Sequence, residues 1–346
     1  MQQPEINKRK NGLFIDMPLE PDWEFHLGLE AESGETWEIK SYVSNEGRTN
    51  KIANLIRYGK YFYYSFLIFL NRNKHEKILC WQQFYGLLLV LYCRIFHVKK
   101  TFQLVIMTFI YKKKSGIIGH IYDSFMRYII TSKYIDRLIV FSKQEVAYYA
   151  ERFALNKSKF VYFPLGIDKI TGLTDNQALR EEQYILSVGR SNRDYDFLLE
   201  ALKGSPYAVK ILSNTLHKPS LEKIEIYNNA FNGDYFNYLY NCFCVVIPLI
   251  NPKISSGQLT ILQAMQLGKP VIVTESEGIS DYIIHGYNGL IIKKEKQALL
   301  VTLQRLYTDP ELCKYLSING KSESEKYSVK QLGINVANVI YSDLFR

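Results

Sequence analysis

The stretch from Ile254 to Thr274, ISSGQLTILQAMQLGKPVIVT, limits the possible folds more than any other part of the chain. It reads as a loop, a helix and a buried strand in quick succession. Ser255, Ser256 and Gly257 are small and polar, the residue types that open a helix and leave its first backbone N–H groups accessible. Leu259, Leu262, Ala264 and Met265 then recur at helical spacing, Gly268 ends the helix, and Pro270 starts the apolar run Val271-Ile272-Val273. A helix joined to a buried strand by so short a link belongs in a parallel sheet flanked by helices. Two hydroxyls and a glycine at the helix start can form an anion site, but such a local motif is more often an ordinary cap.

The same alternation runs along most of the chain. Strands are expected at 12–16, 37–43, 78–81, 101–111, 137–142 and 159–163. Helices are expected within 20–35 and at 52–71, 82–96, 118–130 and 143–153. After the polar linker Asp168 to Gln183, a second series follows, with strands at 184–189, 208–213, 223–227, 243–249 and 289–292. Its helices are expected at 195–203, 234–241, 279–285, 295–307 and 311–327, with a last one at 329–345. The fold class is therefore α/β, as two doubly wound domains. Their boundaries are placed at 1–166, 167–327 and 328–346, and 346 residues suffice for two cores.

Charge is unevenly spread. Residues 1–50 hold 5 Lys/Arg and 10 Asp/Glu, residues 51–160 hold 19 and 5, and residues 161–346 hold 19 and 19. The basic block attracts anionic lipid, a phosphorylated acceptor or nucleic acid, and no nucleic-acid-binding motif accompanies it. The expected helix 52–71 interleaves aromatics with basic residues, which fits either a core helix or one resting on a lipid surface. Cys80, Cys93, Cys242, Cys244 and Cys313 lack metal-ligand spacing and read as reduced core residues. The polar start reads as no export signal, and Gly86 to Tyr111 is too interrupted by charge to span a bilayer.

Downstream of the focal unit stands Glu277-Gly278-Ile279-Ser280-Asp281-Tyr282-Ile283, then His285-Gly286-Tyr287-Asn288-Gly289-Leu290-Ile291-Ile292. Upstream stands Ile185-Leu186-Ser187-Val188-Gly189-Arg190, followed by the helix from Phe197 to Leu202. In this order they resemble the nucleotide-sugar-binding half of retaining GT-B glycosyltransferases, most closely glycosyltransferase family 4. The resemblance covers about residues 130–325 and is specific through 184–202 and 245–292. It implies two Rossmann-like domains facing a central cleft, an acceptor-binding first domain, and a C-terminal helix crossing back to that domain.

The resemblance also implies roles for particular residues. Arg190 matches the family arginine on the donor diphosphate, and Arg193 is placed where a lysine is usual, as the pair serving catalysis. Gly189 and the loop Ser255, Ser256, Gly257 and Gln258 would approach the phosphates and donor sugar. The family's two glutamates, eight positions apart, fall at Ser255 and Gln263, so both carboxylates are missing; Gln263 keeps hydrogen-bonding capacity for ribose. Asn229 lies in the expected base-binding loop, whereas His285-Gly286 and Asn288-Gly289 read as turns. On the acceptor side the candidates are Gln82 and Gln83, which replace a family histidine, together with Asp123, His120 and Asp16. No cofactor and no metal are expected.

The expected activity is transfer of a hexose or N-acetylhexosamine from a nucleotide sugar, a UDP-sugar, to a lipid-linked oligosaccharide or glycan in bacterial surface polysaccharide synthesis. The expected place is cytoplasmic, peripheral at the inner face of the plasma membrane through residues 51–160. Two other readings stand beside it: a protein O-glycosyltransferase acting on an adhesin, and a catalytically idle nucleotide-sugar-binding partner of an active transferase.

Overall fold

A computed structural model describes residues 9–44, 51–111, 113–228, 234–252 and 256–342, Lys51 by its backbone alone. The chain divides into two units, Met1–Phe163 with Leu332–Arg346, and Pro164–Gln331. The first carries a six-stranded sheet of β1 (Lys10–Ile15), β2 (Trp37–Ser41), β3 (His75–Cys80), β4 (Gln103–Ile106), β5 (Arg137–Val140) and β6 (Phe160–Tyr162), in the order β2-β1-β3-β4-β5-β6. The second carries β7 (Ile185–Val188), β8 (Val209–Leu212), β9 (Ile224–Tyr227), β10 (Cys244–Ile247), β11 (Val271–Thr274) and β12 (Leu290–Ile292), in the order β12-β11-β10-β7-β8-β9. Every pairing between these strands is parallel. This is why β7, β8, β10 and β11 are buried along their whole length, since helices cover both faces of a parallel sheet.

Each strand order reverses once. Succession runs outward from β1 to β2 on one side and from β3 to β6 on the other; likewise from β7 to β9 and from β10 to β12. Two crevices therefore open at the carboxyl ends of strands, one at β1/β3 and one at β7/β10, the places where doubly wound sheets bind ligands.

Two expected elements depart most from what their sequence implies. The apolar run 101–111 is strand only over Gln103–Ile106; beyond it Met107, Phe109 and Tyr111 are buried in irregular backbone, with Thr108 at φ 53°. The expected helix 279–285 is a single 3-10 turn, Ile279–Asp281. There the Asn288 side chain accepts from Ile284 N–H at 2.7 Å and donates to the Tyr282 carbonyl at 3.1 Å, taking backbone groups that a helix would have used. The linker contains a short helix, Gln177–Glu181, capped by Asn176. All five cysteines are free, and four of them are buried.

The helix Val329–Tyr341 belongs to the first unit from Leu332 onward. Gly333 lets it lie against the helix Glu24–Ser33: a Cβ there would stand 2.2 Å from the Phe25 carbonyl oxygen. At its far end the Tyr341 hydroxyl donates to Glu35 at 2.6 Å, while Asn11 and Lys77 reach the same carboxylate at 2.7 and 3.2 Å. Burial acts to raise the Glu35 pKa, but these three donors outweigh it and hold the carboxyl at about 2, against an ordinary 4.5. Because this carboxyl ionises more readily folded than unfolded, the network adds stability above pH 4.5 and loses it as pH falls from 4.5 toward 2. Tyr341→Phe should therefore cost about 1 kcal/mol at neutral pH, with wild type and variant converging inside that acid window in thermal melts.

Candidate functional site

In the second unit, Gly189 follows β7 at φ 137°, a backbone angle open to glycine, and turns the chain into the segment Arg190–Asp194. This segment runs beside the one that follows β10. Arg193 and Leu249 form an antiparallel bridge, and Asp194 N–H donates to the Pro248 carbonyl at 3.0 Å. Asn192, itself left-handed at φ 57°, clasps the two segments together. Its side-chain oxygen accepts from Asn251 N–H at 2.9 Å, while its amide nitrogen donates to the Asn251 carbonyl at 3.0 Å and to the Ser256 hydroxyl at 2.9 Å.

Gly257 caps the helix Gln258–Gln266 from φ 93°, and a Cβ there would touch Ile247 at 3.3 Å. Gly257, at the N-cap position, has no side chain with which to cap this helix. Gln258 is buried, whereas Leu259, expected on the apolar face, is half exposed. Gln263 sits further along the helix with its carbonyl oxygen held by the Tyr235 hydroxyl at 2.8 Å.

The two arginines have different surroundings. Arg190 is exposed, and with the Asn214 amide turned to satisfy its neighbours, Asn214 oxygen accepts from the Arg190 guanidinium at 3.3 Å. Asn228, at the end of β9, in turn donates to the Ser213 and Leu216 carbonyls at 2.6 and 2.9 Å. The carboxyl ends of β7, β8, β9 and β10 thus bring Arg190, Asn214, Asn228 and Ser256–Gln258 to one edge of the sheet.

Arg193 differs from the expectation of a second diphosphate contact. Its guanidinium folds back under the loop, donating to the Val188 and Ser191 carbonyls at 2.9 and 3.0 Å and approaching the Thr260 hydroxyl at 3.5 Å. It fills the space beside Gly189, where a Cβ would stand 2.7 Å from its Nε. Burial pulls its pKa below the ordinary arginine value. Arg193 is a brace that fixes the Gly189 turn against the start of the helix Gln258–Gln266.

The sequence holds one Asp-x-Asp triplet, Asp194-Tyr195-Asp196. Asp194 caps the helix Tyr195–Leu202 by accepting from Phe197 N–H at 3.0 Å, and pairs with Lys294 at 2.9 Å. Asp196 pairs with Lys218. Both carboxylates have structural partners, and among the described residues no group of three His, Cys, Asp or Glu gathers as a metal site.

In the first unit the structure joins two of the acceptor-side candidates. Asp16 follows β1, Gln82 follows β3, and the Gln82 amide donates to the Asp16 carboxylate at 3.3 Å. Ser44 donates to the same carboxylate through its backbone N–H and its hydroxyl, both at 2.6 Å. The Tyr85 hydroxyl lies 3.4 Å from it, and burial pushes the Tyr85 pKa upward. Three further candidates are placed elsewhere. Gln83 accepts from Ile110 N–H at 3.0 Å and holds the loop after β4. Asp123 is tied to Tyr111 at 2.5 Å and to Arg152, linking the helices Gly116–Ile130 and Lys143–Phe153. Its two partners keep the Asp123 carboxyl below the ordinary range, the Tyr111 hydrogen bond first. His120 is exposed on the helix Gly116–Ile130. Ser255 and Asn229 lie outside the described residues.

Asn192 carries no motif, and only contact with the segment after β10 reveals it. Asn192→Ala removes three hydrogen bonds and an asparagine from a left-handed position. For the nucleotide-sugar turnover that the sequence resemblance implies, the expected outcome is about a tenfold to hundredfold loss with a melting midpoint lowered by only a few degrees, read by kinetics and calorimetry on the same preparation.

Two parallel six-stranded sheets, each with its crevice at a strand-order reversal, define the GT-B class. Residues 210–323 match the model of the glycosyl transferases of group 1. Among proteins of known sequence it is 27% identical over 159 residues to an uncharacterized glycosyltransferase, MJ1178, of Methanocaldococcus jannaschii, covering 43% of this chain and 44% of that protein. It is 24% identical over 163 residues to the alpha-1,3/1,6-mannosyltransferase ALG2 of Dictyostelium discoideum, covering 46% of this chain and 36% of that one. The chain thus spans less than half the length of these curated relatives. Anabaena Alr3699/HepE, solved in complex with UDP, shares the fold with a TM-score of 0.66 and 14% identity, covering 96% of this chain and all of that one.

Proposed function

We propose that the protein transfers a hexose or N-acetylhexosamine from a UDP-sugar to a lipid-linked oligosaccharide or glycan, and that it serves bacterial surface polysaccharide synthesis. The observation that carries this reading is the meeting of Arg190, Asn214 and the Ser256–Gln258 helix start at the β7/β10 crevice, in a unit whose residues 210–323 match the group 1 model. Anabaena HepE, similar in fold, has been solved with UDP and with UDP-glucose, which favours a uridine donor here.

In this reading Arg190 and the N–H groups at Gly257 and Gln258 take the charge that grows on the diphosphate as the sugar–phosphate bond breaks. Arg193 and Asn192 hold that loop in place. Ser256 orients the donor sugar, and Gln263, positioned by Tyr235, serves the ribose. Asp16 and Gln82 receive the acceptor hydroxyl. No metal and no cofactor enter this scheme.

A second reading, an idle nucleotide-sugar-binding partner, is favoured by Ser255 and Gln263 standing where the family carries carboxylates. Hydrolysis of a panel of UDP-, GDP- and dTDP-sugars separates the two. Release of UDP from one donor, rising when lipid-linked acceptors are added, supports the transferase. Tight UDP binding with every donor intact, with and without those acceptors, supports the partner.

A further inference from the structure

The helix Lys51–Asn71 has two apolar faces. Tyr61, Ser65, Ile68 and Phe69 are buried against the first unit's core. Ile52, Leu55, Ile56, Gly59, Phe62 and Tyr63 recur at the same helical spacing on the opposite side, and all are exposed, Leu55 to 72% and Ile52 to 71%. A stripe of this kind on the solvent side does nothing for the fold and marks a contact surface.

A second exposed set lies at the start of the helix Gly116–Ile130. Ile117 is 80% exposed, Ile118 75% and Ile121 65%, with Tyr128 exposed further along. Both helices pack on the helix Gln83–Ile95, whose Tyr92 hydroxyl donates to the Phe62 carbonyl at 3.0 Å and whose Arg94 guanidinium donates to the Tyr128 carbonyl. Lys114 lies over the Tyr122 ring at 4.4 Å, and Arg57 stands 5.3 Å from the Tyr58 ring. Both cations are thus held at the border of the apolar surface, and Lys113 is exposed next to Lys114.

The charge around this surface selects its occupant. Segments 51–71 and 110–130 contain seven Lys/Arg and a single acid, Asp123, whose carboxylate is already occupied by Arg152 and Tyr111. A second copy meeting the same face about a two-fold axis would set these cations against one another. An anionic bilayer instead receives the isoleucines and leucine among its acyl chains and the lysines at its headgroups. No helix among the described residues is long and apolar enough to cross a membrane, so the contact is one of lying on the surface.

We infer that the exposed faces of the helices Lys51–Asn71 and Gly116–Ile130 form one docking surface for an anionic lipid bilayer. This deepens the lipid-linked-acceptor reading, and rests on it only for why a membrane should be sought. The first unit would then work at the height of the headgroups, where a lipid-borne sugar stands.

Vesicle flotation of the full chain tests the inference, using phosphatidylcholine alone and phosphatidylcholine with about one third phosphatidylglycerol. Wild type should float with the anionic vesicles and stay behind with the neutral ones. Ile117→Glu/Ile118→Glu and, separately, Leu55→Glu should each lower the bound fraction about tenfold, and Lys113→Glu/Lys114→Glu should do so in a salt-dependent way. All these positions are exposed, so melting midpoints and UDP binding should match wild type and report that the variants fold. Failure of wild type to float, or flotation unchanged in every variant, overturns the inference. So does a dimer that dissociates in Ile117→Glu/Ile118→Glu without any vesicle binding. Flotation needs no sugar transfer, so floating protein that cleaves no donor would count against the transferase reading alone, and active protein that does not float against the docking surface alone.

Discussion

Arg190→Ala is expected to lower nucleotide-sugar turnover by about a hundredfold to a thousandfold while moving KM far less, the pattern of a contact that strengthens as leaving-group charge develops. The expectation follows from how the two neighbouring arginines are used. Arg193 is committed to backbone carbonyls, so its cation cannot be redirected without releasing the Gly189 turn. Arg190, exposed and steered by Asn214, is the group proposed to meet the diphosphate. Arg190→Lys should recover part of the rate, because a lysine supplies the charge without the planar fork. Steady-state kinetics of donor hydrolysis on both variants decide the matter. Turnover within about twofold of wild type in Arg190→Ala would remove Arg190 from the reaction.

Gly333→Ala is expected to have the largest effect on stability. The substituted Cβ would stand 2.2 Å from the Phe25 carbonyl oxygen and 2.9 Å from the Leu29 nitrogen, both backbone atoms inside a helix that cannot swing aside as a side chain would. Either the helix Val329–Tyr341 moves away or the helix Glu24–Ser33 is displaced; overpacking of this kind costs about 1–3 kcal/mol and sometimes more. The displacement would also pull Tyr341 from Glu35, adding the loss of that hydrogen bond. A chemical denaturation curve shifted to lower midpoint in Gly333→Ala, with Ile340→Ala compared as an ordinary cavity variant, measures it. An unshifted curve would show that the helices tolerate wider spacing.

Elements whose periodicity and caps agree could be read from the sequence. Lys143–Phe153 is a helix over the expected residues because Ser142 caps it and its buried positions, Tyr149, Ala150 and Phe153, follow helical spacing. The run 101–111 misleads because burial without a strand partner looks the same in sequence as burial within a sheet. In 279–285 a side chain, Asn288, competes for the backbone groups, and nothing in local composition signals that.

The candidate site divides similarly. Arg190, Gly257 and Gln258 sit in motifs, and the β7/β10 reversal brings them together. Asn192 does its work through partners 59 and 64 residues away in sequence, and Asn214 through residues that follow neighbouring strands, so only the pairing of β7 with β8 and β10 exposes them. Asp16 and Gln82 are joined by the β1/β3 pairing in the same way. Asp123 and Gln83 mislead for the opposite reason: a polar residue in a promising place had already been used by the scaffold.

The membership of residues from Leu332 onward in the first unit makes the second unit an insertion within the first. Where the chain enters and leaves that insertion, Ile167 pairs with Ser328, so the two crossings run side by side. During synthesis the second unit can therefore close while the first still lacks the helix that Gly333 and Tyr341 seat. Translation, which proceeds from the N-terminus, completes the two units in the reverse of their order along the chain. A nascent chain halted after Gln331 should bind UDP before its first unit resists protease, and a chaperone would find its substrate in the part of the protein made earliest.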